Sequence, residues 1–98
     1  MTSLLQLQAN ELNPTPFQLR AARAIMGLTQ EGVAQQSGIS AKTVIGVEAR
    51  KCSRSALGSV VAAYRRMGVT FEASADYQRQ TVSRLFDGPQ EVPELPVD

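Results

Sequence analysis

Residue types that support catalysis or metal binding are scarce in this 98-residue chain. It contains no histidine, and Cys52 is its single cysteine. Without histidine the chain cannot assemble a histidine-based catalytic triad or a typical zinc site, and one cysteine cannot form an intramolecular disulfide. A Gly-rich phosphate loop and paired carboxylates are also missing from the central part of the sequence. We therefore expect no enzymatic activity, cofactor, metal or small-molecule ligand.

Long apolar runs are missing as well. No run approaches the roughly 20 residues that a membrane-spanning helix needs. The first residues, MTSLLQLQANEL, lack the basic start of a signal peptide. These features predict a cytoplasmic protein without membrane contact. A chain of this length holds one small domain, which buries a modest fraction of its surface and gains stability from a partner subunit.

Charge is unevenly distributed along the chain. Residues 15–86 hold all ten Lys and Arg against four acidic residues, a net charge of +6, whereas residues 87–98 hold four acidic residues and no basic one. Between residues 42 and 66 six basic side chains accompany a single acid, Glu48. This density favours a surface that binds the phosphate backbone of a nucleic acid. The alternative is a charged face that contacts only solvent.

Residues 28–51 have the pattern of two short helices joined by a tight turn. Thr29 suits the cap of the first helix, Gly38 suits its end, and Ser40 suits the cap of a second helix that begins at Ala41. Apolar residues recur at helical spacing and would face one small core. They are Val33, Ala34, Ile39, Val44 and Val47. The spacing predicts a helix-turn-helix, a unit that commonly binds DNA.

The same stretch resembles the lambda repressor and Cro family (Xre type) of helix-turn-helix proteins. The matching residues are Leu28, Thr29-Gln30-Glu31, Val33-Ala34, Gly38-Ile39-Ser40, Val44, Val47 and Glu48. The resemblance covers residues 16–71 and implies a lambda-repressor-like bundle of four helices. It also implies an ion pair between Arg23 and Glu48. One departure is that Ala49 and Arg50 follow Glu48, where the family usually has a glycine that closes the second helix.

In this class of unit the second helix lies in the major groove and the first crosses the backbone. The predicted base contacts are Ala41, Lys42, Thr43 and Ile45. Lys42 can donate to guanine, while Ala41 and Ile45 can contact a thymine methyl group. The predicted phosphate contacts are Gln30, Ser40, Arg50, Lys51 and Arg54. Ser40 and Thr43 suit bases and phosphates equally well.

Three regions are predicted along the chain. Residues 1–14 form an N-terminal arm, either disordered or a short helix, and residues 15–86 form the domain. Residues 87–98 form a disordered, acidic, Pro-rich tail, which either keeps the protein soluble or folds back on the basic face. Within the domain we expect helices over residues 16–26 and 56–67, on either side of the helix-turn-helix.

The end of the domain allows two interpretations. Residues 69–72 and 81–86 alternate in polarity and predict a pair of strands. The alternative is a fifth helix over residues 75–85, with Tyr77, Val82 and Leu85 on one face. The family resemblance implies that such strands pair across a two-fold axis. The predicted dimer contacts are Val69, Phe71, Val82 and Leu85.

Two functions compete at this point. The first is a dimeric, sequence-specific transcriptional regulator that binds double-stranded DNA at a two-fold operator, associated with the nucleoid, as in small regulators of phages and mobile elements. The second is a helix-turn-helix module that masks a partner protein, as an antitoxin or antiactivator does. The leucines of the N-terminal arm, Leu4, Leu5, Leu7 and Leu12, favour the second function.

Overall fold

Four helices followed by a two-stranded antiparallel sheet make up residues 13–94 and 96, the part of the chain that the computed structural model describes. The helices are α1 (Pro16–Met26), α2 (Gln30–Ser37), α3 (Ala41–Glu48) and α4 (Arg54–Arg66), and the strands are β1 (Val69–Ala73) and β2 (Gln80–Arg84). This confirms the predicted mainly helical fold with a C-terminal strand pair. The alternative of a fifth helix over residues 75–85 is wrong, because Gln80–Arg84 pairs with β1.

Each helix begins at a Ser or Thr side chain that caps a free backbone amide. These caps are Thr15, Thr29, Ser40 and Ser53. At α1 the cap is reciprocal. The backbone N–H of Gln18 donates to Thr15 Oγ1 (3.2 Å), and the backbone N–H of Thr15 donates to Gln18 Oε1 (2.9 Å). Gly27 and Gly38 end α1 and α2 in the left-handed conformation that glycine adopts without steric cost. Local chemistry therefore sets the helix bounds.

The apolar core lies where all four helices meet β1. Leu19 and Ala22 of α1 are fully buried there. The other buried apolar residues of this core are Val33, Ala34, Val44, Val47, Ala56, Leu57, Val60, Val61, Tyr64, Val69 and Phe71. The rings of Tyr64 and Phe71 meet edge to face with centroids 5.9 Å apart, which joins α4 to β1. Near the end of α1, Met26 packs against this core and Ile25 is 40% exposed.

The hairpin covers one side of α1. Its register pairs Val69 with Arg84, Phe71 with Val82 and Ala73 with Gln80. The buried Gln18 side chain donates from Nε2 to the backbone carbonyls of Glu72 (2.8 Å) and Thr81 (3.0 Å), so α1 holds both strands through one amide group. The predicted second strand extended too far, since Leu85 and Phe86 lie beyond the end of β2.

The two ends of the chain contribute no helix or strand to the described structure. The predicted N-terminal arm, with its four leucines, lies outside the described residues except for Asn13 and Pro14. Residues 87–94 are exposed and form neither helix nor strand. Among the described helices, none is long and apolar enough to cross a membrane.

Candidate nucleic-acid interface

Helices α2 and α3 are separated by only three residues, Gly38, Ile39 and Ser40. Gly38 turns the chain with φ of +73°, and Ile39 is partly buried against the core. Ser40 then caps α3 by accepting from the Thr43 amide at 3.1 Å. On the inner side of α3, Val44 and Val47 are fully buried. The opposite side is therefore free to face solvent.

The four predicted base contacts differ in how far they are exposed. Lys42 is exposed and Ile45 is 52% exposed. Ala41 is half-buried and packs against the core. Thr43 is also half-buried, and its hydroxyl lies 2.8 Å from that of Ser40. Lys42 and Ile45 are thus the two members of the set that project most freely from α3.

Three of the predicted phosphate contacts follow α3 in the chain. Lys51 and Arg54 are exposed, and their side chains form no hydrogen bond or ion pair with any residue of the described part. Arg50 differs, because its guanidinium donates to the backbone carbonyl of Pro14. Lys51 and Arg54 consequently leave their charge available to an outside anion.

Ser40 and Gln30, the other two predicted phosphate contacts, already have partners within the chain. The Ser40 hydroxyl is committed to the α3 cap and to Thr43. Gln30 lies at the first position of α2, and its side-chain amide donates to Glu48 Oε1 at 3.2 Å. An amide NH2 group has two donors, so one remains for an external acceptor.

Glu48 is the centre of a polar network that joins three helices. The structure brings Arg23 and Glu48 together with two contacts, Nε to Oε2 at 2.8 Å and Nη2 to Oε1 at 3.2 Å. The Glu48 side chain is 7% exposed and that of Arg23 is 28% exposed. Hydrogen bonding to Glu48 raises the pKa of Arg23 above its usual value and outweighs the opposing effect of burial. This bidentate pair fixes α1 against the end of α3.

Arg20 and Gln30 complete this network, and sequence reasoning did not assign either of them to it. Arg20 Nη1 donates to the backbone carbonyl of Glu48 at 3.1 Å, at the negative end of α3. Arg20 lies three residues before Arg23, on the same side of α1, which is the signal that the sequence offered. For Gln30 the sequence offered no such signal, because it is far from Glu48 in the chain.

The missing glycine after Glu48 does not disrupt the end of α3. Arg50 itself takes the left-handed conformation, with φ of +58°. Its amide donates to the Val47 carbonyl at 3.1 Å, and the Lys51 amide donates to the Gly46 carbonyl at 2.7 Å. This is the pair of bonds by which a glycine usually closes a helix. The loop therefore keeps its form with arginine at the glycine position.

The predicted dimer contacts need a correction. Val69 is fully buried and Phe71 is 4% exposed, both within the core of their own chain. Alternate residues of a strand point to opposite faces, and the inward face of β1 is the one that carries them. They are not available to a second subunit. Val82 is half-buried, whereas Leu85 is 82% exposed beside the 43% exposed Phe86.

A shallow groove of about 250 Å³ lies between α1 and β2. Its lining residues are Phe17, Gln18, Ala21, Ile25, Gln80 and Val82. Phe17 is 71% exposed, so the outer side of α1 presents apolar surface beside this groove. In the described part of the chain no group of acidic or cysteine side chains is arranged to hold a metal ion.

Comparison with known proteins gave no match: no family model, no curated protein and no solved structure corresponds to this chain.

Proposed function

We propose that this protein is a sequence-specific, DNA-binding transcriptional regulator that acts as a dimer on a two-fold operator. Helix α3 is the recognition helix in this proposal and enters the major groove with its first turn. The single observation that carries the proposal is the arrangement of α3, which is capped, packed on the core through Val44 and Val47, and exposed on its other side at Lys42 and Ile45.

Base recognition would depend on Lys42 and Ile45. The Lys42 ammonium can donate to guanine O6 and N7, and the Ile45 side chain can pack on a thymine methyl group. Ala41 and Thr43 contribute closer to the core, where their half-buried side chains limit them to short-range contacts. Good contacts of this kind discriminate between bases by about 1–3 kcal/mol each.

Backbone recognition would depend on Lys51 and Arg54. Both are exposed and follow α3 directly, and Arg54 opens α4 after the cap at Ser53. The N-terminus of α2 presents its first-turn amides together with the second N–H of Gln30, whose other N–H donates to Glu48 at the end of α3. Exposed cations and free amides near an exposed helix support a duplex-binding surface.

The dimer in this proposal would form through apolar residues at the end of the hairpin. Leu85, one of the predicted dimer contacts, forms an exposed apolar pair with Phe86 just after β2. A two-fold dimer would present two copies of α3 about 34 Å apart on one side of the duplex. Footprinting of the DNA upstream of its own gene tests this directly, since a palindromic protected site gives both the operator and the symmetry.

Substitution of Lys42 and Arg54 separates base contacts from phosphate contacts. We expect Lys42→Ala to relax specificity at one base pair per half-site, because only a base contact carries sequence information. We expect Arg54→Ala to weaken specific and random DNA alike and to reduce the slope of log K against log [salt] by about one unit. Titration of both variants on an operator and on a random duplex at several salt concentrations measures these effects.

Arg79→Ala is the matched control, because it removes an exposed cation in the turn between the strands, where the proposal places no contact with DNA. The assignment of roles is wrong if Lys42→Ala and Arg54→Ala behave identically on both duplexes.

A second candidate function is the masking of a partner protein. The groove between α1 and β2, with Phe17 71% exposed, is the observation that favours it. The leucine-rich arm that suggested this function lies outside the described residues. A protein that only binds another protein would give no salt-sensitive, sequence-specific gel shift, so the same titration distinguishes the two functions.

A further inference from the structure

Arg50 has a backbone conformation that residues with side chains rarely adopt. Its φ of +58° lies in the left-handed region, where a β-carbon is unfavourable. Glycine would close α3 at this point without that cost. Arginine differs from glycine in carrying a guanidinium group on a long side chain. The contacts of that group therefore indicate the role of Arg50.

The Arg50 guanidinium reaches back across the molecule to the start of the domain. It donates to the carbonyl of Pro14, 36 residues earlier in the chain. Pro14 is itself fully buried. The next residue, Thr15, caps α1, and its hydroxyl bonds the Gln80 side chain on β2. One arginine thus connects the end of α3 to the point where α1 and β2 meet.

The sequence alone suggested a phosphate contact for Arg50, and the structure favours a different use of the side chain. The Arg50 guanidinium donates to an internal carbonyl although the residue is exposed, whereas the side chains of Lys51 and Arg54 have no partner in the described part of the chain. Lys51 is adjacent to Arg50 and carries the same charge. Substitution of these two neighbours therefore compares a cation that binds within the chain with a cation that is available to DNA phosphate.

We propose that Arg50 is a positioning residue that clasps the segment before α1 against the end of α3. The Arg50–Pro14 contact, called the clasp from here on, holds the entry of α1 and the exit of α3 in one orientation. Its effect on DNA binding rests on the proposed function of α3, but its effect on the chain around Pro14 does not. Arg50 thereby acts on DNA through the placement of α3 and makes no contact of its own.

Arg50→Gly in the full chain tests the clasp, since glycine accepts the backbone conformation and removes the guanidinium together with the rest of the side chain. Amide hydrogen exchange followed by NMR reports on the entry of α1. The backbone N–H groups of Thr15 and Gln18 are hydrogen-bonded within the α1 cap. We expect them to exchange at least about threefold faster in the variant, because the start of α1 opens more often when the clasp is missing. The Lys51 amide should keep its protection, because the backbone closure of α3 is unchanged.

Lys51→Ala is the control, because it removes the same charge from the adjacent residue. It should leave the Thr15 and Gln18 exchange rates at their original values and should lower the salt slope of DNA binding by about one unit. Arg50→Gly should leave the salt slope unchanged and weaken operator binding by about three- to tenfold, since α3 is then held less firmly in its binding orientation.

Unchanged Thr15 and Gln18 exchange in Arg50→Gly would overturn the clasp, as would a fall in salt slope equal to that of Lys51→Ala. If neither the original protein nor either variant binds duplex DNA specifically, the proposed function is wrong. The exchange rates of Thr15 and Gln18 still show in that case whether the clasp exists.

Discussion

At Gly46 a single hydrogen side chain lets the loop after α3 lie directly on the helix. A β-carbon added there would lie 2.6 Å from the Lys51 carbonyl oxygen, a backbone atom that cannot rotate away. Gly58 is also helical, yet a β-carbon added there would meet no atom within 4 Å. Packing therefore requires glycine at position 46 but not at position 58, although from the sequence both are only residues of low helix propensity.

We expect Gly46→Ala to destabilise the protein and Gly58→Ala to stabilise it. Forcing a methyl group against backbone costs about 1–3 kcal/mol and exceeds the gain in helix propensity. At Gly58 no such contact opposes the substitution, so the gain in helix propensity should stabilise the protein by about 0.5–1 kcal/mol. Urea unfolding of both variants gives the free energies, and equal stability of the two would contradict the packing described at Lys51.

At the scale of elements, Glu48 holds the helix-turn-helix together. Its carboxylate accepts from Arg23 of α1 and from Gln30 of α2, while its own backbone belongs to the last turn of α3. Arg20 adds a bond to the same turn. The orientation of α3 therefore depends on polar contacts at one end as well as on Val44 and Val47 in the core.

We expect Arg23→Ala to lower the free energy of unfolding by about 1–3 kcal/mol, since it leaves a nearly buried carboxylate with fewer hydrogen bonds. Arg79→Ala is the control, because Arg79 is exposed in the turn between the strands and its side chain has no partner in the described structure. It should change stability by less than about 0.5 kcal/mol. A loss below that value for Arg23→Ala would mean that the pair contributes no more than an exposed one.

At the scale of the whole molecule, the Tyr64 hydroxyl is a polar group buried in the apolar core. It forms no hydrogen bond with the described residues. Burial is the main reason that its pKa rises from 10.0 to about 12, and the nearby Glu48 carboxylate adds to the rise. Folding therefore favours the protonated phenol, whose ring packs against Phe71 of β1.

This shift predicts a loss of global stability in alkali. In the unfolded chain Tyr64 ionises near pH 10, and in the folded chain only near pH 12. Below pH 10 the stability is therefore unaffected by this group, and between pH 10 and 12 about 3 kcal/mol is lost as deprotonation favours the unfolded chain. Tyr64→Phe should lack this component and should be at least as stable at neutral pH, because it removes an unpaired buried hydroxyl.

Urea unfolding at pH values from 8 to 12 measures the difference in stability between the two proteins, in which contributions common to both cancel. Parallel stability curves over this range would show that Tyr64 ionises no later in the folded chain than in the unfolded one.

The sequence by itself determined where α1, α2 and α3 begin and where α1 and α2 end, whereas α4 (Arg54–Arg66) begins two residues before, and ends one residue before, the predicted range 56–67. Thr15, Thr29, Ser40, Gly27 and Gly38 act on amides and carbonyls within a few residues, so their effect is visible without a fold. Helical spacing likewise marked Val33, Val44 and Val47 as core, because an amphipathic helix can bury only one side. The strand pair was predicted beside a helical alternative, since the weakly alternating residues after Gly68 fit both periods.

Only the tertiary structure decided how the polar and charged side chains are used. Arg50 and Lys51 are adjacent cations and both are exposed, yet the Arg50 guanidinium donates to Pro14 and the Lys51 side chain has no partner among the described residues. Gln30 meets Glu48, and Val69 and Phe71 turn inward, away from any second subunit. These outcomes depend on which distant segments come within hydrogen-bonding or van der Waals reach, and that distance is a property of the packed chain.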